Sequence, residues 1–213
     1  MPRVLTGIFV LEDFTMKEHT QVNKVRYIVV VGILSAISTV LMMLSFSVPF
    51  MPSFIKMDFS ELPALLASFS LGPLAGVLVC LIKNLINVTM TTTGGVGELS
   101  NFILGTAFVL PAGLIYCKYK TRKSALLAAL LGAVAMGSIS ILTNYFLIYP
   151  IYTKIMPIDV IIKAYQAILP SVDGLLGCLL TFNLPFTVLK GLANTLLTFL
   201  IYKRISPLIK GKH

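Results

Sequence analysis

The sequence contains no tryptophan and two histidines, and charged residues make up 12% of it. Soluble globular domains carry about a quarter charged residues, so water is not the solvent for most of this surface. Hydrophobic residues account for 57% of the 213 residues, and the mean hydropathy is +0.93. We therefore predict an all-α membrane protein, because helices satisfy their own backbone hydrogen bonds in lipid.

Residues that commonly perform catalysis or hold metals are scarce. The two histidines, His19 and His213, lie near the two ends, and no HExxH, paired metal-ligand or Ser/His/Asp pattern is present. The three cysteines lie in or beside apolar runs without CxxC spacing, which favours packing over disulfides or metal ligation. Gly94-Gly95-Val96-Gly97 lacks the Gly-Lys-Ser/Thr ending of a phosphate loop. The sequence therefore predicts neither an enzyme nor a metal site.

Basic residues outnumber acidic residues by 17 to 8, and most of them flank apolar runs. A nucleic-acid-binding face would instead gather them on one surface with interleaved aromatics, so no nucleic-acid partner is expected. Clusters within residues 17–26, 118–123 and 203–212 are predicted to be cytoplasmic by the positive-inside rule. Both termini are therefore predicted to lie inside.

The number of spans follows from this orientation. An inside N-terminus and an inside 118–123 loop require an even number of crossings, yet three apolar runs lie between them. The run Leu62–Met90 is too long for one span and is interrupted at Gly72-Pro73, so we predict a hairpin there. Residues 1–23 and 206–213 are predicted tails around one domain, 24–205. Its six predicted helices cover about 24–47, 59–71, 73–90, 98–117, 124–149 and 185–204.

This topology places three connections outside the cell. They are residues 48–58, the Thr/Gly-rich segment 91–97 and the long segment 150–184. Within the last, Ile158–Leu169 has apolar residues at helical spacing, which predicts an interfacial helix packed over the bundle.

Polar residues inside the apolar runs are candidate functional positions, because charge in a bilayer is costly without a partner or cavity. Lys83, Asn84 and Asn87 fall on one helical stripe. The stripe fits either a hydrogen-bonding seam between helices or a ligand contact, and the sequence does not choose between them.

A second set of polar residues lies near the predicted outer ends of the last two helices. Asn144 and Lys190 would each sit about 7.5 Å below those ends, where they can line one pocket with Thr187. Pro185 is predicted to occupy the first turn of its helix, where its missing N–H is harmless. Lys190 could alternatively extend outward as an interfacial anchor.

Small residues recur one turn apart on the first predicted helix. Gly32 and Ala36 form one pair, and Ser35 and Thr39 form another. Such pairs allow another helix to approach closely, either inside the bundle or from a partner protein.

Three stretches together resemble a known family: MDFSELPAL at 57–65, LGPLAG at 71–76 leading to KNL at 83–85, and NLPFTVLKG at 183–191. They are similar to the substrate-binding S-components of energy-coupling factor (ECF) importers, and specifically to those for riboflavin. The resemblance covers about residues 24–205. It implies six helices, a pocket open to the outside under the first external loop, and location in a bacterial plasma membrane.

The resemblance also implies a ligand, partners and site residues. Riboflavin would be the transported substrate rather than a cofactor, and the partners would be a transmembrane coupling subunit and two ATPases. A helical surface bearing Gly32 and Ala36 is expected to face the coupling subunit. The implied substrate-binding positions are Phe54, Lys56, Gly94, Gly95, Asn144, Thr187 and Lys190.

Other readings of the sequence stay open. The same fold serves several vitamins, so an S-component for another vitamin is the main alternative. A membrane enzyme or a structural membrane partner is a further alternative, from a different functional class.

Asparagine supplies both a donor and an acceptor, which suits the uracil-like edge of a flavin.

Overall fold

A computed structural model describes residues 24–91 and 93–210, the last eight of these by their backbone alone. The predicted tail 1–23 lies outside this part of the chain, as do residues 211–213. The described part is mostly helical, with one short antiparallel hairpin that pairs Phe46 with Met57 and Ser47 with Lys56. The elements are α1 (Lys24–Met43), β1 (Phe46–Ser47), β2 (Lys56–Met57), α2 (Glu61–Leu71), α3 (Pro73–Val88), α4 (Val96–Tyr119), α5 (Arg122–Thr143), α6 (Tyr149–Tyr152), α7 (Ile158–Gln166), α8 (Gly174–Cys178) and α9 (Leu184–Lys210).

Four helical segments are long and apolar enough to span a membrane: Lys24–Met43, Val96–Tyr119, Arg122–Tyr152 and Gly174–Tyr202. Two shorter apolar helices, α2 and α3, lie between the first and second of these. The class predicted from composition, an all-α membrane protein, agrees with this architecture. Helix α9 continues to Lys210, beyond the predicted end of the last helix near 204.

The predicted break at Gly72-Pro73 is present in the structure. Gly72 has a φ of 107°, a conformation that L-residues with a side chain rarely adopt, and it ends α2. Pro73 then opens α3, where its missing N–H costs no helical hydrogen bond. The two residues therefore turn the chain within a single apolar run.

The last helical segment begins earlier than the sequence predicted. It starts at Gly174 rather than at Pro185, so Pro185 lies inside a continuous helical segment. A π-helical turn, Leu179–Asn183, precedes the proline, and the N–H of Leu184 bonds to the carbonyl of Leu179. This wider turn lets the helix accommodate a residue that cannot donate. Residues 174–184, which were predicted to belong to the external connection 150–184, are therefore helical.

Two hydrophobic clusters hold the described part together. The larger one fills the bundle, where α4 packs along α5, and α9 packs against both α5 and α2. The smaller one gathers around Ile161 and Tyr165 of α7, which pack on Tyr149 and Phe182. The helix predicted at Ile158–Leu169 is thus present as α7, and it covers one end of the bundle.

Candidate ligand-binding site

A cavity of about 830 Å³ lies between the helices under α7 and the β1–β2 connection. Its volume falls in the range of pockets that enclose small organic molecules. The wall combines methionine, aromatic and aliphatic side chains with a few polar groups. Five of the seven substrate-binding residues expected from the sequence line it: Phe54, Lys56, Asn144, Thr187 and Lys190.

The first connection forms part of the cavity's cover. Phe54 packs edge-on against Tyr165 of α7, with ring centroids 5.7 Å apart. Lys56 lies in β2 with an exposed side chain. The hairpin and α7 therefore meet above the cavity, as expected for the loop 48–58.

Asn144 and Thr187 reach the cavity from neighbouring helices, and both are buried. Asn144 opens a second π-helical turn, Asn144–Ile148, in which the N–H of Tyr149 bonds to the Asn144 carbonyl. The sequence placed Asn144 and Lys190 at equal depth below helix ends at 149 and 185. Those ends were wrong, because the two helical segments extend to Tyr152 and begin at Gly174. The two residues still share one cavity.

Lys190 is directed into the bundle rather than outward as an interfacial anchor. Its Nζ lies 2.8 Å from Asp58 Oδ2, 3.4 Å from Glu61 Oε2 and 3.3 Å from Asn101 Oδ1. Its side chain is 8% exposed, at the cavity wall. The ammonium group therefore donates hydrogen bonds to Asp58 and Asn101 and forms an ion pair with Glu61, whose Oε2 accepts no hydrogen bond from the described residues.

Asp58 connects this ammonium group to the start of α2. Its Oδ1 accepts hydrogen bonds from the backbone N–H and the hydroxyl of Ser60, while its Oδ2 faces Lys190. Burial by itself would raise the pKa of Asp58, but the charges of Lys190 and Lys83 and the hydrogen bond from Lys190 lower it to about 2. Asp58 is thus a carboxylate at neutral pH.

Sequence reasoning did not assign Asp58 or Glu61 to the site. A signal was available, because two lysines in apolar helices require counter-charges and the chain has eight acidic residues in all. Asp58 and Glu61 also lie three residues apart, just before and at the start of α2, and both carboxylates reach Lys190.

Lys83 belongs to the same charged network but not to the cavity wall. It is fully buried, lies 3.0 Å from Glu61 Oε1 and donates to the Ser60 hydroxyl. Asn84 donates to the carbonyl of Cys80 within its own helix. The sequence left two roles open for Lys83, Asn84 and Asn87: a hydrogen-bonding seam between helices or a ligand contact. Lys83 fits the seam, whereas Asn87 lines the cavity.

Gly94 and Gly95 are not among the cavity-lining residues, although both have positive φ angles. Their turn is held by Glu98, whose Oε2 accepts hydrogen bonds from the hydroxyls of Thr91 and Thr93. Thr93, Gly97 and Glu98 reach the cavity instead. The segment 91–97 thus reaches the cavity through Thr93 and through Gly97 in the first turn of α4.

The two small-residue pairs on α1 face in opposite directions. Gly32 and Ala36 are exposed, and a Cβ added at Gly32 would meet no atom within 4 Å. Ser35 and Thr39 are buried against the bundle. Packing inside the bundle therefore explains the second pair and not the first.

Comparison with known proteins assigns the family. Residues 26–202 match the family model described as "ECF transporter, substrate-specific component". The chain belongs to this family of transporter components, whose members are not enzymes.

Named relatives cover nearly the whole chain. "Riboflavin transporter FmnP" of Bacillus subtilis (strain 168) is 36% identical over 88% of this chain and 95% of the relative. "Riboflavin transporter RibU" of Staphylococcus aureus (strain TCH60) is 32% identical over 91% of this chain and 96% of the relative. A solved structure titled "Structure and mechanism of the S component of a bacterial ECF transporter" is 29% identical, with a TM-score of 0.71, and covers 88% of this chain and 99% of its own.

Proposed function

We propose that this chain is the riboflavin-binding subunit of an ECF importer in the bacterial plasma membrane. The observation that carries the proposal is the match, over about nine-tenths of the chain, to relatives named riboflavin transporters. The cavity supports it, because about 830 Å³ of mostly apolar space with a few polar groups suits a flat heteroaromatic ring with a polyhydroxyl chain. No cofactor takes part, since riboflavin is the cargo.

The proposed arrangement has six membrane helices with both termini in the cytoplasm. The four long segments supply four of them, and α2 and α3 supply the short hairpin. The cavity then opens to the outside under the β1–β2 connection and α7. Riboflavin would contact Asn144, Thr187 and Lys190 from the helices and Phe54 and Lys56 from the first connection. Gly94 and Gly95 would support the adjacent turn from outside the cavity wall.

The proposed partners are the transmembrane coupling subunit and its two ATPases. The exposed strip with Gly32 and Ala36 supports docking of the coupling subunit on α1, because close helix approach requires small residues on an outer face. Riboflavin captured outside would be released inside after docking.

The direct test is ligand binding by the full chain purified in detergent. We expect a yellow protein that quenches riboflavin fluorescence on titration and does not bind thiamine or biotin under the same conditions. Tight binding of another vitamin and none of riboflavin would replace the proposed substrate and leave the family assignment standing.

A further inference from the structure

Asn183 lines the cavity, although the sequence did not mark it as a binding residue. Its side chain is 8% exposed, and it closes the π-helical turn Leu179–Asn183. Asn144 opens the other π-helical turn and lines the same cavity. Such turns are frequent at functional sites, because the extra residue redirects the side chains beside it. Each turn therefore carries an amide at the cavity wall.

Two tyrosines fix the direction of the Asn183 amide. The hydroxyl of Tyr165 donates to Asn183 Oδ1 at 2.7 Å, and the hydroxyl oxygens of Tyr149 and Tyr165 are 2.6 Å apart. A hydroxyl has one hydrogen, so Tyr165 accepts from Tyr149 while it donates to Asn183. The oxygen of the amide is thereby the end that faces Tyr165.

The nitrogen of the amide is left for other partners. It carries two N–H donors, and the hydroxyl oxygen of Tyr149, which is bonded to Tyr165 beside the amide, can accept one of them. Asn183 lines the cavity, so a ligand there is within the reach of the second donor.

Tyr165 is well placed to hold this direction. It is fully buried, and its ring packs against Phe54 at 5.7 Å and against Phe182 at 5.2 Å between centroids. Burial raises the pKa of the Tyr165 hydroxyl above its ordinary value, so the hydroxyl keeps its proton at neutral pH. The donor to Asn183 is thus fixed in position and in protonation.

We propose that Asn183 donates an amide N–H to a hydrogen-bond acceptor of the cavity ligand, and that Tyr165 is the positioning residue that directs this donor. The inference rests on the proposed function, in which the ligand is riboflavin. Riboflavin offers carbonyl oxygens on its ring and hydroxyl oxygens on its ribityl chain as acceptors. Asn183 and Asn144 then hold the ligand from two different helices.

The experiment is a fluorescence titration of riboflavin against the full chain in detergent. Asn183→Asp keeps an acceptor oxygen for Tyr165 and removes both N–H donors, so affinity should fall about tenfold or more. Tyr165→Phe removes the directing hydroxyl and keeps the ring, so a smaller loss is expected. In the Asn183→Asp background, Tyr165→Phe should cause no further loss, because the tyrosine acts through the amide. Tyr145→Phe is the control, since Tyr145 lies outside the cavity wall.

The outcomes separate this inference from the proposed function. If the parent chain does not bind riboflavin, the proposed function fails, and the inference fails with it because its ligand is then wrong. If the parent binds and both Asn183→Asp and the similarly sized Asn183→Leu bind equally well, the donor role of Asn183 is overturned. An equal loss from Tyr165→Phe in both backgrounds would overturn the positioning role. Melting temperatures identify a variant that is weakened by misfolding, and the second Asn183 variant then decides.

Discussion

Lys83 and Lys190 are both buried in apolar helices and both contact Glu61, yet of the two Lys190 alone lines the cavity. Lys83 is sealed between Ser60 and Glu61. Lys190 pairs with Asp58 at 2.8 Å and keeps a small exposed surface at the cavity wall. The difference shows that a buried lysine in a membrane helix indicates, in the first place, a nearby carboxylate that balances its charge. It indicates a ligand contact where the same side chain also reaches a cavity.

The two lysines belong to one network that runs from the cavity into the bundle. Ser60 accepts from Lys83 through its hydroxyl, and its carbonyl accepts from Ser38 on α1. Asp58 and Glu61 balance the two ammonium groups, so the network carries no net charge. We therefore expect damage at its sealed end to lower stability and damage at its open end to lower affinity.

The largest effect is expected from Lys83→Met. The change leaves two buried carboxylates facing one ammonium group, and breaking a buried ion pair typically costs about 3–5 kcal/mol. Thermal denaturation in detergent should show a large fall in stability. The double variant Lys83→Met/Glu61→Gln should regain much of it, because it removes the uncompensated charge. A Lys83→Met protein as stable as the parent would contradict the assignment of Lys83 to a charge-balancing role.

Lys190→Met should mainly affect binding. It removes a charged donor from the cavity wall, which should cost about 1.5–3 kcal/mol, or roughly tenfold to a hundredfold in riboflavin affinity. Its effect on stability should be smaller than that of Lys83→Met, because water in the cavity can solvate Asp58. Riboflavin titration and thermal denaturation measure the two effects, and Lys163→Met on the exposed side of α7 is the matched control.

Asn144→Leu should weaken riboflavin binding by about tenfold, because it removes the amide that lies at the cavity wall. If Asn144 and Lys190 hold one ligand, the double variant should lose less affinity than the two single losses combined. Strict additivity in the double-mutant cycle would argue that the residues act on the ligand independently.

The smallest effect on binding is expected from substitutions on the outer strip of α1. Gly32→Leu and Ala36→Leu should leave riboflavin affinity and stability near parental values, because both positions are exposed. Cellular riboflavin uptake should be lost, since the larger side chains obstruct the coupling subunit. Ser35→Leu, on the buried face, is the contrasting variant and should destabilise the protein. Unchanged uptake by Gly32→Leu would contradict the proposal that the coupling subunit docks on this face of α1.

Much of the helical plan was accessible from the sequence, because apolar run lengths and the Gly72-Pro73 interruption act locally. The start of the last helical segment was not. A proline normally indicates a helix start, and the π-helical turn that allows Pro185 inside a helix has no recognised sequence signal. Six crossings and the orientation remain predictions.

The site was accessible in part for a similar reason. Asn144 and Lys190 stand out as polar residues in apolar runs, so hydropathy alone draws attention to them. Asp58 and Glu61 lie at the edge of a run, where acidic residues are ordinary, and their role appears once α9 brings Lys190 beside them. Tyr165 and Asn183 depend on how α7 folds over the bundle, a contact between segments that no local pattern encodes.

The central claim is that riboflavin binds in the cavity beside Lys190. The most direct measurement is a riboflavin titration of three purified proteins: the parent, Lys190→Met and the charge-balanced pair Lys83→Met/Glu61→Gln. The account predicts tight binding by the parent, a loss of roughly tenfold to a hundredfold in Lys190→Met, and a smaller loss in the charge-balanced pair, in which Lys190 keeps its hydrogen bonds to Asp58 and Asn101. Parental affinity in a folded Lys190→Met protein would contradict the claim and place the ligand elsewhere.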